Sequence, residues 1–141
     1  MQIGVDTQRS IENKRVFVIE NDEINSMALQ FILADENETH TLPRVAAAVE
    51  KAREWPPHLV LLGMGLVRAE GALLIGKIKS AMNGVKILLV CDSADDEKVK
   101  DALTHGADGT LLTPLTIEGV RRKVNSALGR AVPLNIPVMV K

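Results

Sequence analysis

Aromatic side chains are almost missing from this sequence: it has no tyrosine, and Phe17, Phe31 and Trp55 are the whole complement. That excludes a stacking platform for unpaired bases. A single cysteine, Cys91, in 141 residues cannot build an internal disulfide framework and suits a reducing compartment. Neither sign of charge dominates, with 17 Lys and Arg against 18 Asp and Glu and a net charge of −1. The chain therefore carries no basic footprint for nucleic acid. No apolar stretch approaches the roughly 20 residues that cross a bilayer. The opening MQIGVDTQRSIENK also lacks the apolar heart of a signal peptide. The expectation is a cytoplasmic chain with neither a nucleic-acid nor a membrane partner.

What is present is the material of one α/β domain. Val16-Phe17-Val18-Ile19, Leu59-Val60-Leu61-Leu62 and Ile87-Leu88-Leu89-Val90 are continuous apolar runs. Such runs, without alternation, suit strands covered on both faces in a parallel sheet. Thr110-Leu111-Leu112 reads as a further strand, and His40-Thr41-Leu42 as a short one near an edge. Helical spacing fills the intervals. Ile24, Met27, Ala28, Phe31 and Ile32 predict a one-sided helix. Ala46 to Glu54 is rich in helix formers and is stopped by Trp55-Pro56-Pro57. Leu74, Ile75, Ile78 and Met82 define a third helix ending near Asn83-Gly84. Asp95 to His105 gives a fourth, and Ile117, Val120, Val124 and Leu128 a fifth, with Thr116 as its N-cap. Strand and helix thus alternate five times, which specifies a doubly wound, flavodoxin-like (βα)5 parallel sheet. Sites in such sheets form at the carboxyl ends of the strands, here Glu20-Asn21, Gly63, Cys91-Asp92 and Thr113-Pro114.

These strand ends resemble a known family. Val18 to Asn25 is similar to the first strand and acidic turn of response-regulator receiver domains. His58 to Leu66 resembles their third strand, which normally ends on the phosphorylated aspartate. Gly106 to Leu115 resembles their fifth strand and its lysine-proline turn. The resemblance runs from about Lys14 to Leu128, dividing the chain into an N-terminal extension (1–14), a receiver-like domain (15–128) and an apolar tail (129–141). Receivers move a phosphoryl group from a phosphohistidine to an aspartate, with magnesium held by acidic residues and with a lysine and a hydroxyl on the phosphoryl oxygens. The resemblance puts Gly63 at the acceptor position, Glu20 and Asn21 at the acidic turn, Cys91 at the hydroxyl, Thr113 at the lysine and Thr110 at the aromatic switch. Pro114 and the Gly106-Ala107-Asp108 turn keep the family pattern. A glycine has no atom to attack phosphorus, and one carboxylate where two are usual holds magnesium weakly.

The resemblance therefore implies a pseudo-receiver of a two-component or phosphorelay pathway, without catalysis, cofactor or metal, acting through protein–protein contacts. Its partners would be a histidine kinase or an output protein. The family's output surface maps to about Asp95 to Leu128, with the basic group Arg121, Arg122 and Lys123, equally readable as a solvated helix face. One rival is a small-ligand sensor using a pocket emptied around Glu20, Asn21, Gly63, Cys91 and Thr113. Another is a receiver phosphorylated at Asp22 or Asp92. Singly, the residues invite plainer readings: Glu20 as a solvated acid, Cys91 as a small apolar filler, and Asp92, Asp95 and Asp96 as a solvated loop and helix start. The Thr113-Pro114 bond is a candidate cis peptide by resemblance. In the tail, Val132, Leu134, Ile136, Val138 and Val140 alternate as in an extended segment with one apolar face, and Pro133 and Pro137 keep it off a central strand. Such a tail either covers its own domain or lies on a second copy, and a homodimer contact is the expectation.

Overall fold

The computed structural model describes residues 13–130; the N-terminal extension up to residue 12 and the tail from residue 131 lie outside them. From its first half come β1 (Lys14–Ile19), α1 (Glu23–Leu33), β2 (Asn37–Leu42), α2 (Val45–Ala52) and β3 (Leu59–Gly63). The second half supplies α3 (Met64–Glu70), α4 (Leu73–Ala81), β4 (Lys86–Cys91), α5 (Glu97–Thr104), β5 (Gly109–Leu112) and α6 (Ile117–Ala127). All neighbouring strands pair in parallel, in the order β2-β1-β3-β4-β5. Because the order reverses at β1, the switch point falls between the carboxyl ends of β1 and β3. None of the helices in the described residues is long and apolar enough to cross a membrane.

The apolar runs explain the layers. Successive strand residues point to opposite faces, so Phe17, Ile19, Val60, Leu62, Ile87 and Leu89 form one core with Ala48, Val67, Ile75, Ile78 and Val99 from the helices. Val16, Val18, Leu59, Leu61, Leu88 and Val90 form the other, under Leu29, Ile32 and Leu33 of α1 and Val120 and Val124 of α6. Burying each such side chain contributes about 1.5–3 kcal/mol. Asp108 ties one end of this sheet. Its carboxylate accepts from the Ile87 amide at 2.9 Å and from Lys79 Nζ at 2.8 Å, while its own amide donates to Ile87 O at 2.8 Å. The Gly106-Ala107-Asp108 turn is thus a joint between α4, β4 and β5.

Two expectations change here. The spacing of Ile24, Met27, Ala28, Phe31 and Ile32 predicts a core face; Ile32 is buried, but Ile24, Met27 and Phe31 are 78%, 70% and 75% exposed, and α1 buries Leu29 and Leu33 beside Ile32. Leu29, Ile32 and Leu33 also recur at helical spacing, and it is this set that shares a core with Val16 and Val18 of β1 and Leu59 and Leu61 of β3. The second change is an extra helix: α3 starts directly from Gly63, in a stretch where two glycines weaken any helical signal. The caps follow the sequence more closely. Asp22 Oδ1 accepts from the Asn25 amide at 3.0 Å, and Thr116 Oγ1 from the Gly119 amide at 3.0 Å.

At the amino ends of the strands, Arg15 donates from Nε to Glu38 Oε2 at 2.7 Å, and its guanidinium lies 5.2 Å from the Trp55 ring centre. His40 Nε2 meets the same carboxylate oxygen at 2.7 Å. Arg15 first, and His40 second, hold the Glu38 carboxyl at about 2, below its ordinary 4.5. A depressed carboxylate stabilises the fold above pH 4.5, and that contribution fades as pH falls toward 2. Glu38→Gln should cost about 0.5–1 kcal/mol near pH 6, as for a partly exposed ion pair. Urea-unfolding midpoints of the two proteins should converge between pH 4.5 and pH 2.

Candidate functional site

The register builds the site. Ile19 lies beside Leu62 in the β1–β3 pair, so the next residues along, Glu20 and Gly63, are neighbours at the switch point. The Glu20 amide donates to Leu42 O at 3.0 Å, which continues β1 by one ladder bond beyond Ile19. Gly63 pairs with Val90 and Cys91 with Leu112. The Thr113 amide donates to Cys91 O at 2.9 Å, bringing Thr113 and the cis Thr113-Pro114 bond alongside. Glu20, Asn21, Gly63, Cys91, Thr113 and Pro114 therefore share one end of the sheet.

Within that group, one contact governs the rest. A Cβ on residue 63 would fall against the Glu20 carboxyl, 2.5 Å from Cδ and 2.6 Å from Oε1. Real Cβ atoms never approach so closely, so the absent side chain of Gly63 is what gives Glu20 its place. Glu20 is accordingly buried, at 5% exposure, and the solvated acid expected from the sequence is corrected. The room left beside Gly63 is taken by this carboxyl group. Burial is the first cause that raises the Glu20 pKa above 4.5. The Asp22 amide, donating to Oε2 at 3.1 Å, and the Asn25 side chain offset part of that rise. Asn21 leans the same way, with Oδ1 3.3 Å from where a Cβ of Gly65 would stand.

Around this centre the other polar groups are committed to one another. Thr113 Oγ1 donates to Asp92 Oδ1 at 2.5 Å. Arg68 of α3 donates to Asp96 Oδ2 at 2.6 Å, and Asp96 caps α5 by accepting from the Lys98 amide at 2.7 Å. This strap joins α3 to the start of α5, and the guanidinium holds the Asp96 carboxyl below its usual range. Arg68 was not foreseen as part of the site; its sequence signal is only a lone cation facing the acids at 92, 95 and 96. Cys91 is 5% exposed, and burial raises its thiol pKa, as suits an apolar filler. As a magnesium cradle the donor set is poor, because magnesium needs open oxygen ligands in near-octahedral array. Glu20 is turned into the space beside Gly63, and Asn21 brings no charge.

The remaining predicted residues lie elsewhere. Thr110 is half-buried in β5 beside Leu89. Arg121 faces α1, with Nε and Nη2 each 3.4 Å from Ile32 O and Nη2 3.6 Å from Asp35. That leaves Arg122 and Lys123 exposed, where they line a shallow groove of about 240 Å³ with Leu111, Leu112, Thr116 and Val120. Arg121 thus braces α1 while its side chain stays 35% exposed.

A doubly wound five-stranded parallel sheet with its polar cluster at the β1–β3 switch point is the architecture of a signal receiver. The chain belongs to the response regulator receiver domain family, whose profile matches residues 16–125. It is 27% identical over 116 residues to the chemotaxis protein CheY of Halobacterium salinarum, covering 82% of this chain and 97% of that protein. Its fold is similar to a two-component response regulator from Clostridium difficile, with 24% identity, a TM-score of 0.73, and coverage of 84% of this chain and 98% of the other. The N-terminal receiver domain of a Bacteroides fragilis response regulator gives 20% identity, a TM-score of 0.74, and coverage of 84% and 99%.

Because Glu20 fills the space beside Gly63, Gly63→Ala should push the flexible end of that side chain outward and cost about 1 kcal/mol, the low end of overpacking. Glu20→Ala in the same chain should recover most of that loss. Urea unfolding of the two single variants and the double variant measures the coupling. Additive effects would mean that the two side-chain positions do not compete for one space.

Proposed function

We propose that this chain is a pseudo-receiver, a signalling module that works through phosphorylation-independent protein–protein contacts and catalyses no reaction. The observation that supports this most strongly is the Glu20 carboxyl occupying the space that any side chain on Gly63 would need. By family resemblance residue 63 is the acceptor, and a glycine there offers no nucleophile. A buried carboxyl takes up the room that a side chain at position 63, and any group carried on it, would need. The strap from Arg68 to Asp96 and the bond from Thr113 to Asp92 hold the neighbouring turns in one arrangement. With nothing to add or remove, the domain presents a fixed surface to its partners. By resemblance these are a histidine kinase or an output protein of a cytoplasmic two-component or phosphorelay pathway.

The rival readings fit less well. A small ligand would have to displace Glu20 from a packed position. Asp22 and Asp92 are already engaged, Asp22 as the cap of α1 and Asp92 as the acceptor of Thr113 Oγ1.

Amide NMR spectra of the intact chain, with and without magnesium and beryllofluoride, test the proposal. Beryllofluoride mimics an acyl phosphate. Resonances near Gly63, Cys91 and Thr113 should stay in place, and incubation with radiolabelled acetyl phosphate should leave the chain unlabelled. Saturable shifts, or label retained on an aspartate, would return the chain to the phosphorylated receivers.

A further inference from the structure

The apolar stripe on α1 has no cover among the described residues. Ile24, Met27 and Phe31 stand at i, i+3 and i+7 and are 78%, 70% and 75% exposed. Together they leave on the order of a few hundred Å² of contiguous apolar surface, the size of the largest patch on an ordinary monomer and commonly a functional one. The neighbouring helix α6 ends beside the same element. Gly129, at φ 76°, closes α6: its amide donates to Ser126 O at 3.1 Å, and the Arg130 amide donates to Asn125 O at 2.9 Å. This paired closure turns the chain out of the helix axis and needs a residue that accepts positive φ. Arg130 then donates from Nη2 to Glu36 O at 3.3 Å, and Arg121 ties α6 to Ile32 O. The described chain thus stops against the carboxyl end of α1, where Glu36 lies five residues beyond Phe31.

Past that point come eleven residues, AVPLNIPVMVK, with Val132, Leu134, Ile136, Val138 and Val140 at alternate positions. We propose that residues 132–140 seat on the Ile24-Met27-Phe31 stripe of their own chain, running back along α1 from its carboxyl end. Length permits it: an extended eleven-residue segment reaches about 36 Å, whereas Ile24 to Phe31 spans about 10 Å of helix. Composition favours it too, since alternate apolar residues of an extended chain fall on one side and can all face the helix. A helix face asks for no amide donors, so Pro133 and Pro137, which have none, are accommodated there. The consequence is an interaction surface that the chain itself covers, so a partner reaching α1 competes with residues 132–140. This inference stands apart from the phosphorylation reading and survives if that reading fails.

The test is methyl and aromatic NMR of the full chain, labelled at Ile, Leu, Val and Met methyls and at Phe. Leu134 and Ile136 methyls should show cross-peaks to the Phe31 ring and the Met27 methyl. Phe31→Ser alters an exposed position and so leaves the core intact; it should shift the amides of residues 132–140 while those of β3 and β4 stay in place. A mixture of labelled and unlabelled chains separates contacts within one molecule from contacts between two. Cross-peaks only between molecules would overturn the proposal in favour of a second copy. Cross-peaks to Leu112 and Ile117 beside β5 would overturn it in favour of that groove. The absence of both cross-peaks and shifts would overturn it outright.

Discussion

The end of this sheet turns on one close approach: a side chain on residue 63 would need the place that the Glu20 carboxyl holds, so the carboxyl would have to move. With glycine at 63, the carboxyl folds inward beneath the strand ends and loses its water. Burial of a carboxyl disfavours its charged form, and the rise in its pKa records that cost. The Asp22 amide and the Asn25 side chain return part of the lost hydration as hydrogen bonds. Those same two residues form the first turn of α1, where Asp22 caps by accepting from the Asn25 amide. A change at Glu20 would therefore be felt at the start of α1 as well as beside Gly63.

The rest of the fold brings these groups together and holds them still. Parallel pairing in the order β2-β1-β3-β4-β5 puts the ends of β1 and β3 side by side, and cores on both faces fix the register. Ties at other points keep the strands from sliding: Asp108 joins β4, β5 and Lys79, and Arg15 binds β1 to Glu38 of β2. A one-residue slip would send every buried side chain to the opposite face. The same constraint that makes the sheet rigid makes the Glu20–Gly63 contact reproducible.

Much of this architecture is legible in the sequence, for physical reasons that differ by element. The runs at Val16, Leu59 and Ile87 announce buried strands because only a sheet covered on both faces uses uninterrupted apolar residues. Thr116 announces a helix start because its hydroxyl satisfies an amide that the helix leaves open. The orientation of α1 was not legible. Its apolar residues fill two faces at helical spacing, and the choice between them belongs to the sheet it packs on. Glu20 was hidden for a related reason, since its burial follows from a missing side chain 43 positions away. The legible clue was a trade of volume, a long acid at 20 against no side chain at 63. Arg121 adds a contact that three basic residues in a row do not announce, since its guanidinium reaches Ile32 O of α1 and Asp35.

The buried state of Glu20 is the central claim, and the carboxyl carbon of that residue reports it directly. A pH titration of the Glu20 Cδ resonance in carbon-13-labelled full-length chain would follow its protonation in the native state. The account predicts a midpoint above the ordinary value of 4.5, together with a coupled shift of the Asp22 amide that donates to it. A midpoint at or below 4.5, with no response at Asp22, would contradict it by placing the carboxyl in solvent and leaving the space beside Gly63 open.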